Sequence, residues 1–451
     1  MTAYLLAATV STPVYGKLGD LYGRKHLFQF TIVLFLVGSI ACGLAQSMVQ
    51  LIAFRALQGL GGGGLMVLAQ AIIADVVTPR ERGRYQGYIG AVFGAASVLG
   101  PLLGGFLTDA LSWRWVFYVN LPFGVAALVV TSIVLPESAR REASIDYAGT
   151  LVLAAGATCI ILFTTLGGQQ LAWDSPGLLA MIVGAVVLFG LFVVIERRAS
   201  EPVLPISLFR LRAFNVAVSV SFIVGVALYG AISFLPLFLQ VVGGSSATDS
   251  GLLILPLMLG LVASSVIAGQ VISRTGRYKV FPVAGTFIIM CSLVLLGLMD
   301  EHTARVTAMG FMVLLGIGVG LTLQTLVLAV QNSVSREHLG TGTSSANFFR
   351  SLGGSIGVAA FGAIFNSRLT SRLNELSLDV GSSTSAFDVS ALDRLTPADR
   401  TIFDHAFASS LTPVFLMAAP LVLIAWLVTS LLREAPLRAH DDTVADAAIM
   451  H

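Results

Sequence analysis

The chain has 451 residues, of which 56% are hydrophobic and only 11% charged, with a net charge of +2. A soluble domain carries about 25% charged residues. The composition therefore excludes a soluble globular enzyme and predicts an all-α integral membrane protein. The three cysteines, Cys42, Cys159 and Cys291, fall inside apolar runs. They read as small core residues, with neither a disulfide framework nor a metal site. Arg far outnumbers Lys, which occurs only at Lys17, Lys25 and Lys279, as expected of a GC-rich bacterial genome. Met1 lies at the edge of an apolar run, so no cleavable leader is read ahead of the first span.

A crossing needs about 20 apolar residues. Thirteen runs are read as spans: 1–18, 27–46, 48–76, 84–110, 115–135, 148–167, 177–195, 214–240, 248–273, 280–299, 305–330, 341–366 and 406–432. Their connections alternate between the two sides. With the Gly16–Lys25 connection inside, seventeen Arg and Lys residues fall on that side and six on the other. That bias is the one cytoplasmic connections carry. It puts Arg140, Arg197 and the carboxyl terminus in the cytoplasm and the 367–405 loop outside.

The chain also repeats. Gly269, Ser273, Gly276 and Arg277 stand at the spacing of Gly16, Asp20, Gly23 and Arg24. Glycine-rich runs from Gly59 and from Gly316 lead in step to V-V-T-P-R-E-R-G at Gly83 and S-V-S-R-E-H-L-G at Gly340. The repeated turn follows the second span of the later half and the first span of the earlier one. By phase, 1–135 is an N-terminal bundle of five spans lacking its opening helix. Residues 136–213 hold two extra spans, 214–432 form a six-span C-terminal bundle, and 433–451 are a cytoplasmic tail. No Asp or Glu lies well inside any of the thirteen runs. The expectation is a further helix ahead of Met1, bearing an acid that faces Arg55.

The stretch G-K-L-G-D-L-Y-G-R-K holds Gly16, Asp20, Gly23, Arg24 and Lys25. Gly23 permits a tight turn, Asp20 suits a helix start or a cation, and Arg24 and Lys25 hold the turn inside. This stretch closely resembles the signature between the second and third helices of major facilitator superfamily transporters. Two bundles with two linker spans resemble, within that superfamily, the fourteen-span drug:proton antiporters. W-R-W-V-F-Y-V-N-L-P-F-G, from Trp113 to Gly124, is similar to the start of their sixth helix.

The resemblance implies a secondary transporter. It would carry out proton-coupled efflux of small lipophilic or cationic compounds by alternating access. It implies no enzyme activity, no cofactor and no metal. Its partners would be a small-molecule substrate, protons and the lipid bilayer, with no nucleic acid, and it would work as a monomer in the plasma (inner) membrane. The alternatives are an exporter of an endogenous metabolite, lipid, peptide or siderophore, an importer, or a non-transporting membrane protein on the same fold. No Walker A motif is present, so ATP hydrolysis is not expected.

Site residues follow from the same resemblance. Asp20 would hold the cytoplasmic side closed, and Ser273 in the second copy makes only the first turn a charge-dependent latch. Arg55, with Gln58 and Gly59, matches the fourth-helix motif implicated in proton coupling. Its bland reading is an arginine that snorkels to the outer surface. Gly100, Pro101, Gly104 and Gly105 match the fifth-helix motif that marks exporters, with Ala96 where the family has its first glycine. Such residues also suit plain close packing. Arg350 lies ~15 Å deep at 1.5 Å per residue, with Asn347 one turn away. It reads as a group for anions, a stabiliser of a coupling carboxylate, or a donor to backbone carbonyls. Tyr229, Phe234 and Phe238, with Phe348 and Phe349, are candidates for a central cavity suited to lipophilic cations; aromatic residues in spans also face lipid or core.

Overall fold

The computed structural model describes residues 2–136, 146–168, 170–242, 254–375, 397–434 and 436–437. Arg140, Arg141, Asp249, Arg394, Arg438, the central part of the 367–405 loop and most of the tail lie outside the described residues. Among the described residues the chain forms helices and no β-strand. The long helices are α1 (Thr2–Tyr22), α2 (Arg24–Leu44), α3 (Met48–Val76), α4 (Pro79–Ala110) and α5 (Trp115–Val134). A pair follows, α6 (Tyr147–Leu166) and α7 (Pro176–Glu196). The rest are α8 (Arg212–Val241), α9 (Leu255–Thr275), α10 (Val280–Gly297), α11 (Arg305–Ser333), α12 (Leu339–Glu375) and α13 (Pro397–Ser430).

Local chemistry sets several helix starts. Thr78 and Glu81 form a reciprocal capping box at α4, with Pro79 in its first turn. The Asp146 carboxylate accepts from Gly149 N at 2.8 Å and opens α6. Two expectations change. The Gly16–Lys25 stretch is not a ten-residue turn: α1 runs on to Tyr22 and the break is the single residue Gly23, at φ 89°. Gly276 closes α9 as a left-handed cap, also at positive φ, 73°. Both angles lie where a side chain is strained and glycine is not. The 367–405 loop also shrinks, because α12 and α13 extend past the apolar runs into polar sequence. Ion pairs along the axis support these ends, Arg372 with Glu375 at 3.2 Å and Arg400 with Asp404 at 3.0 Å.

Among the described residues, twelve helices are long and apolar enough to cross a membrane, and α1 is not one of them. The reason is its surroundings. It packs against α3 and α12 and buries Thr9, Ser11, Thr12 and Lys17. A helix wrapped by protein need not be apolar on its own account.

The sequence repeat divides the helices into two groups, α1–α5 and α8–α13; α4 packs chiefly on α9 of the second group, and α6 packs on α7, α1 and α12. The second group has a thick aromatic core. Phe365 stacks edge-on with Phe407 at 5.1 Å, and Phe361 with Phe415 at 6.0 Å. The first group is thinner. No residue of α5 is buried, and Leu99, Leu103 and Phe106 of α4 are exposed. The repeat explains where the difference lies. Gly100 and Gly357 stand equally far beyond Gly83 and Gly340. A Cβ on Gly357 would press on the Val226 backbone of α8. One on Gly100, Gly104 or Gly105 would meet nothing within 4 Å. Among the described residues, nothing occupies in the first group the place that α8 fills in the second.

Candidate functional site: a sealed end below an inter-group cleft

The two groups meet at the end that carries Gly23 and Gly276. Two helix pairs make the seam. In the first, α1 crosses the start of α12 at Gly16 and Gly340. A Cβ on Gly16 would lie 2.6 Å from Gly340 O and closer still to the Ser344 side chain, so only glycine admits the crossing. In the second, α9 crosses the start of α4 at Gly269 and Gly83, where a Cβ on Gly269 would collide with Gly83 O. These four glycines are the ones paired by the repeat.

The first crossing is charged. The Asp20 carboxylate accepts from Gly340 N (2.9 Å), Thr341 N (2.8 Å) and the Thr341 hydroxyl (2.9 Å), and from Arg24 Nη2 (2.7 Å). It thus caps the N-terminus of a helix in the other group, where exposed N–H groups and the helix dipole favour an anion. Arg24 is itself buried, donates to Ala71 O at 2.9 Å and pairs with Asp75 at the end of α3. Lys25 stands apart from this seam: its ammonium donates to Leu135 O (2.6 Å) and Ser132 O (3.1 Å), the last carbonyls of α5. The second crossing has no carboxylate in the place of Asp20. Arg80 donates to Arg274 O at 2.9 Å there, and α4 is capped by its own Thr78 and Glu81.

Above the charged layer lie neutral amides, which the sequence reading did not single out. Gln86 Nε2 donates to Gln331 Oε1 (3.3 Å), and Gln331 Nε2 to the Thr343 hydroxyl (3.1 Å). One turn higher, Asn347 Nδ2 donates to Gln70 Oε1 (2.8 Å) and Gln70 Nε2 to Gln324 Oε1 (3.4 Å). Gln70 and Gln86 come from the first group, and the other partners from the second. The signal was present: a lone amide in an apolar helix is costly unless another amide meets it. Asn347 thus belongs to this floor.

A narrow cleft lies above the floor, about 10 Å³ in volume, room for about one water. Met66 of α3 and Phe93 of α4 form one wall; Tyr229, Leu261, Leu323 and Gln324 contribute to the other. Arg350 reaches it from α12. It is 8% exposed, its Nη2 lies 3.8 Å from Met66 Sδ, and its Nε is buried without a partner. Phe234 and Phe238 do not line this cleft. Phe234 stacks on Phe361 and Phe365 at 6.3 and 6.0 Å inside the second group's core, and Phe238 is buried in the same cluster. Their apolar faces found helix neighbours in their own group. Phe348 is also buried in a core, beside α6.

Arg55 sits elsewhere, on the far half of α3. Its guanidinium donates to Gln58 Oε1 at 2.9 Å and lies over Tyr4 and Phe117, 4.6 and 5.6 Å from the ring centres. Gln58 donates on to the Ser39 hydroxyl at 2.6 Å. The pair Arg55–Gln58 is formed, and its cation is satisfied by an amide and two rings. Gly100, Pro101, Gly104 and Gly105 lie on an open face of α4, away from the cleft lining.

The architecture and seam fit a known family. The family model described as Major Facilitator Superfamily matches residues 1–358. The chain belongs to the major facilitator superfamily. It is a member of a transporter family, not of an enzyme family. It is 45% identical over 98% of its length to an uncharacterised MFS-type transporter of Mycobacterium tuberculosis, and it spans 65% of that relative. It is 36% identical to Multidrug resistance protein 3 of Bacillus subtilis, over 94% of the chain and 85% of the relative. The solved proton:xylose symporter XylE matches at a TM-score of 0.61 and 13% identity, covering 98% of the chain and 87% of the symporter. That likeness concerns the fold alone. The multidrug names belong to the relatives.

Proposed function

We infer that the chain forms the transport core of a proton-coupled efflux antiporter of the plasma membrane, working by alternating access. The observation that carries this reading is the pairing of a sealed end with a cleft between the same two helix groups. A carrier of this kind rocks two bundles about a site near the bilayer midplane. The structure then represents the state closed at the Gly23 end. On this reading α1–α5 and α8–α13 are the moving bundles, and α6–α7 the linker pair. The excess of Arg and Lys supports a cytoplasmic Gly23 end and a cytoplasmic carboxyl terminus, and the protein acts as a monomer.

Export is supported by the multidrug names of two Bacillus subtilis relatives, 38% and 36% identical. It is supported further by the exporter motif at Gly100, Pro101, Gly104 and Gly105. Proton coupling is assigned to Arg55 and Gln58 on the match of their motif. A small amphipathic cargo suits walls that are mainly apolar with a few polar groups. The earlier expectation of cationic cargo gets no help from the lining, which holds no carboxylate among the described residues.

The test is transport in proteoliposomes with and without an imposed pH gradient. Uphill movement of an amphipathic probe that needs the gradient supports the reading. Movement that ignores the gradient removes proton coupling, and movement of no probe under either condition removes efflux.

A further inference from the structure

Arg350 is out of balance with its surroundings. An arginine near the centre of a membrane helix is costly to insert and is kept where it faces a partner or a water-filled space. A buried charge ordinarily finds a counter-charge and filled hydrogen bonds. Arg24 obeys that rule, with Asp20 and Asp75 beside it. Arg55 is only half-buried and, without a counter-charge among the described residues, is held by an amide and two rings. Arg350 does not obey the rule: it has a thioether sulfur at 3.8 Å and a buried Nε with nothing to donate to. A thioether is a weak acceptor. No Asp or Glu lines the cleft among the described residues.

The lining around it mixes neutral polar and apolar side chains. Ser265, Gln324 and Tyr229 bring neutral polar groups to the cleft, while Phe93, Leu261 and Leu323 supply apolar wall. A planar guanidinium matches a carboxylate in two parallel hydrogen bonds. A cationic cargo at the same place would face an uncompensated like charge in a poorly solvated space.

We propose that the cleft, widened when the two groups part, takes lipophilic organic anions, with a carboxylate docked on Arg350 and the apolar body of the cargo against Phe93, Leu261 and Leu323. The proposal rests on the efflux reading for the direction of movement and is independent of it for binding. Arg350 is then a specificity-determining residue, and the cargo supplies the counter-charge that the protein withholds.

The experiment uses the full chain, purified in lipid nanodiscs, and three size-matched probes: an aryl carboxylic acid, its methyl ester and an aryl quaternary ammonium. Binding is measured by calorimetry at pH 7. The acid is expected to bind about tenfold or more tighter than the ester, the range of a charge-assisted hydrogen bond, and the ammonium weaker than the ester. Arg350→Met should erase the acid's advantage and keep the ester's affinity, which shows the cleft to be intact. Arg350→Lys should restore part of the advantage. If Arg350→Met fails to fold, Arg350→Lys decides: an acid preference supports the proposal and its loss overturns it. Tightest binding by the ammonium, or an unchanged acid-to-ester ratio in Arg350→Met, overturns it as well. Proteoliposome transport separates the two readings. Acid that binds at Arg350 while no probe moves defeats efflux and leaves the binding site standing. Export of ester and ammonium without acid preference does the reverse.

Discussion

The two crossings at the sealed end share a backbone and differ in charge. Gly16 on Gly340 and Gly269 on Gly83 each bring two helix backbones together through a glycine pair. Only the first adds a carboxylate, and Asp20 spends four bonds there. The second relies on packing, an Arg80 bond to a carbonyl and a helix that caps itself. Packing is short-ranged and vanishes once helices separate, whereas a carboxylate on a helix N-terminus adds a directional, charged contact. The difference suggests a division of labour, in which both glycine pairs permit closure and Asp20 sets how firmly one side holds.

The comparison breaks most visibly at the glycines. Gly16→Val and Gly269→Val should each keep the seam from closing, because the branched side chain lands on backbone oxygens. Overpacking of this kind costs about 1–3 kcal/mol and at times more, so transport should fall at least about tenfold in both, with membrane insertion unchanged on immunoblots. A valine tolerated at one crossing alone would mean that the two are not equivalent.

Asp20→Asn comes next. It keeps the shape and removes the charge that four donors share. Hydrogen bonds to charged groups are worth about 1.5–3 kcal/mol each, so the closed population should drop by roughly ten- to a hundredfold. Spin-label distances between the end of α1 and the start of α12 would report it. Ser273→Ala should leave the same distances unchanged, and equal losses at both positions would show that charge does not distinguish the crossings.

Arg24→Gln should have a smaller effect than Asp20→Asn. Asp20 keeps its three donors from Gly340 and Thr341, while Asp75 loses its cation. An effect as large as that of Asp20→Asn would place the energy of the seam in the ion pair, not in the helix cap. The smallest change is expected of Lys17→Gln. Its 2.6 Å pair with Glu201 ties α1 to the segment after α7, but Glu201 is 38% exposed. Partly exposed pairs contribute about 0–1 kcal/mol, so transport should stay within about threefold of the unsubstituted chain.

Much of the fold was legible in advance. Runs of apolar residues located most of the helices, since a bilayer demands length and apolarity before anything else, but missed the polar ends of α12 and α13. The repeat named Gly16, Gly83, Gly269 and Gly340 without saying which touches which. Where reading failed, the cause was a partner far off in sequence. Lys25 was placed with Asp20 by proximity in the chain, yet it bonds carbonyls at Leu135. Phe234 and Phe238 suit a cavity by type, yet Phe234 packs on Phe361 and Phe365, and Phe238 is buried in the same core. The glutamines passed unnoticed because one amide in an apolar run says nothing until the second is in view.

By itself, then, the sequence determined that this chain is helical, that it crosses a membrane many times, that its basic residues favour one side and that its halves are related. Those properties depend on composition, periodicity and repeat spacing, all of which are local or countable. The tertiary structure alone decided that Asp20 caps a helix 320 residues away, that Gln70 and Gln324 share a bond across 254 residues, and that Arg350 meets no carboxylate among the described residues. Burial tells a residue that it must have neighbours. Helix crossings choose which neighbours those are, and the chemistry of the cleft follows from that choice.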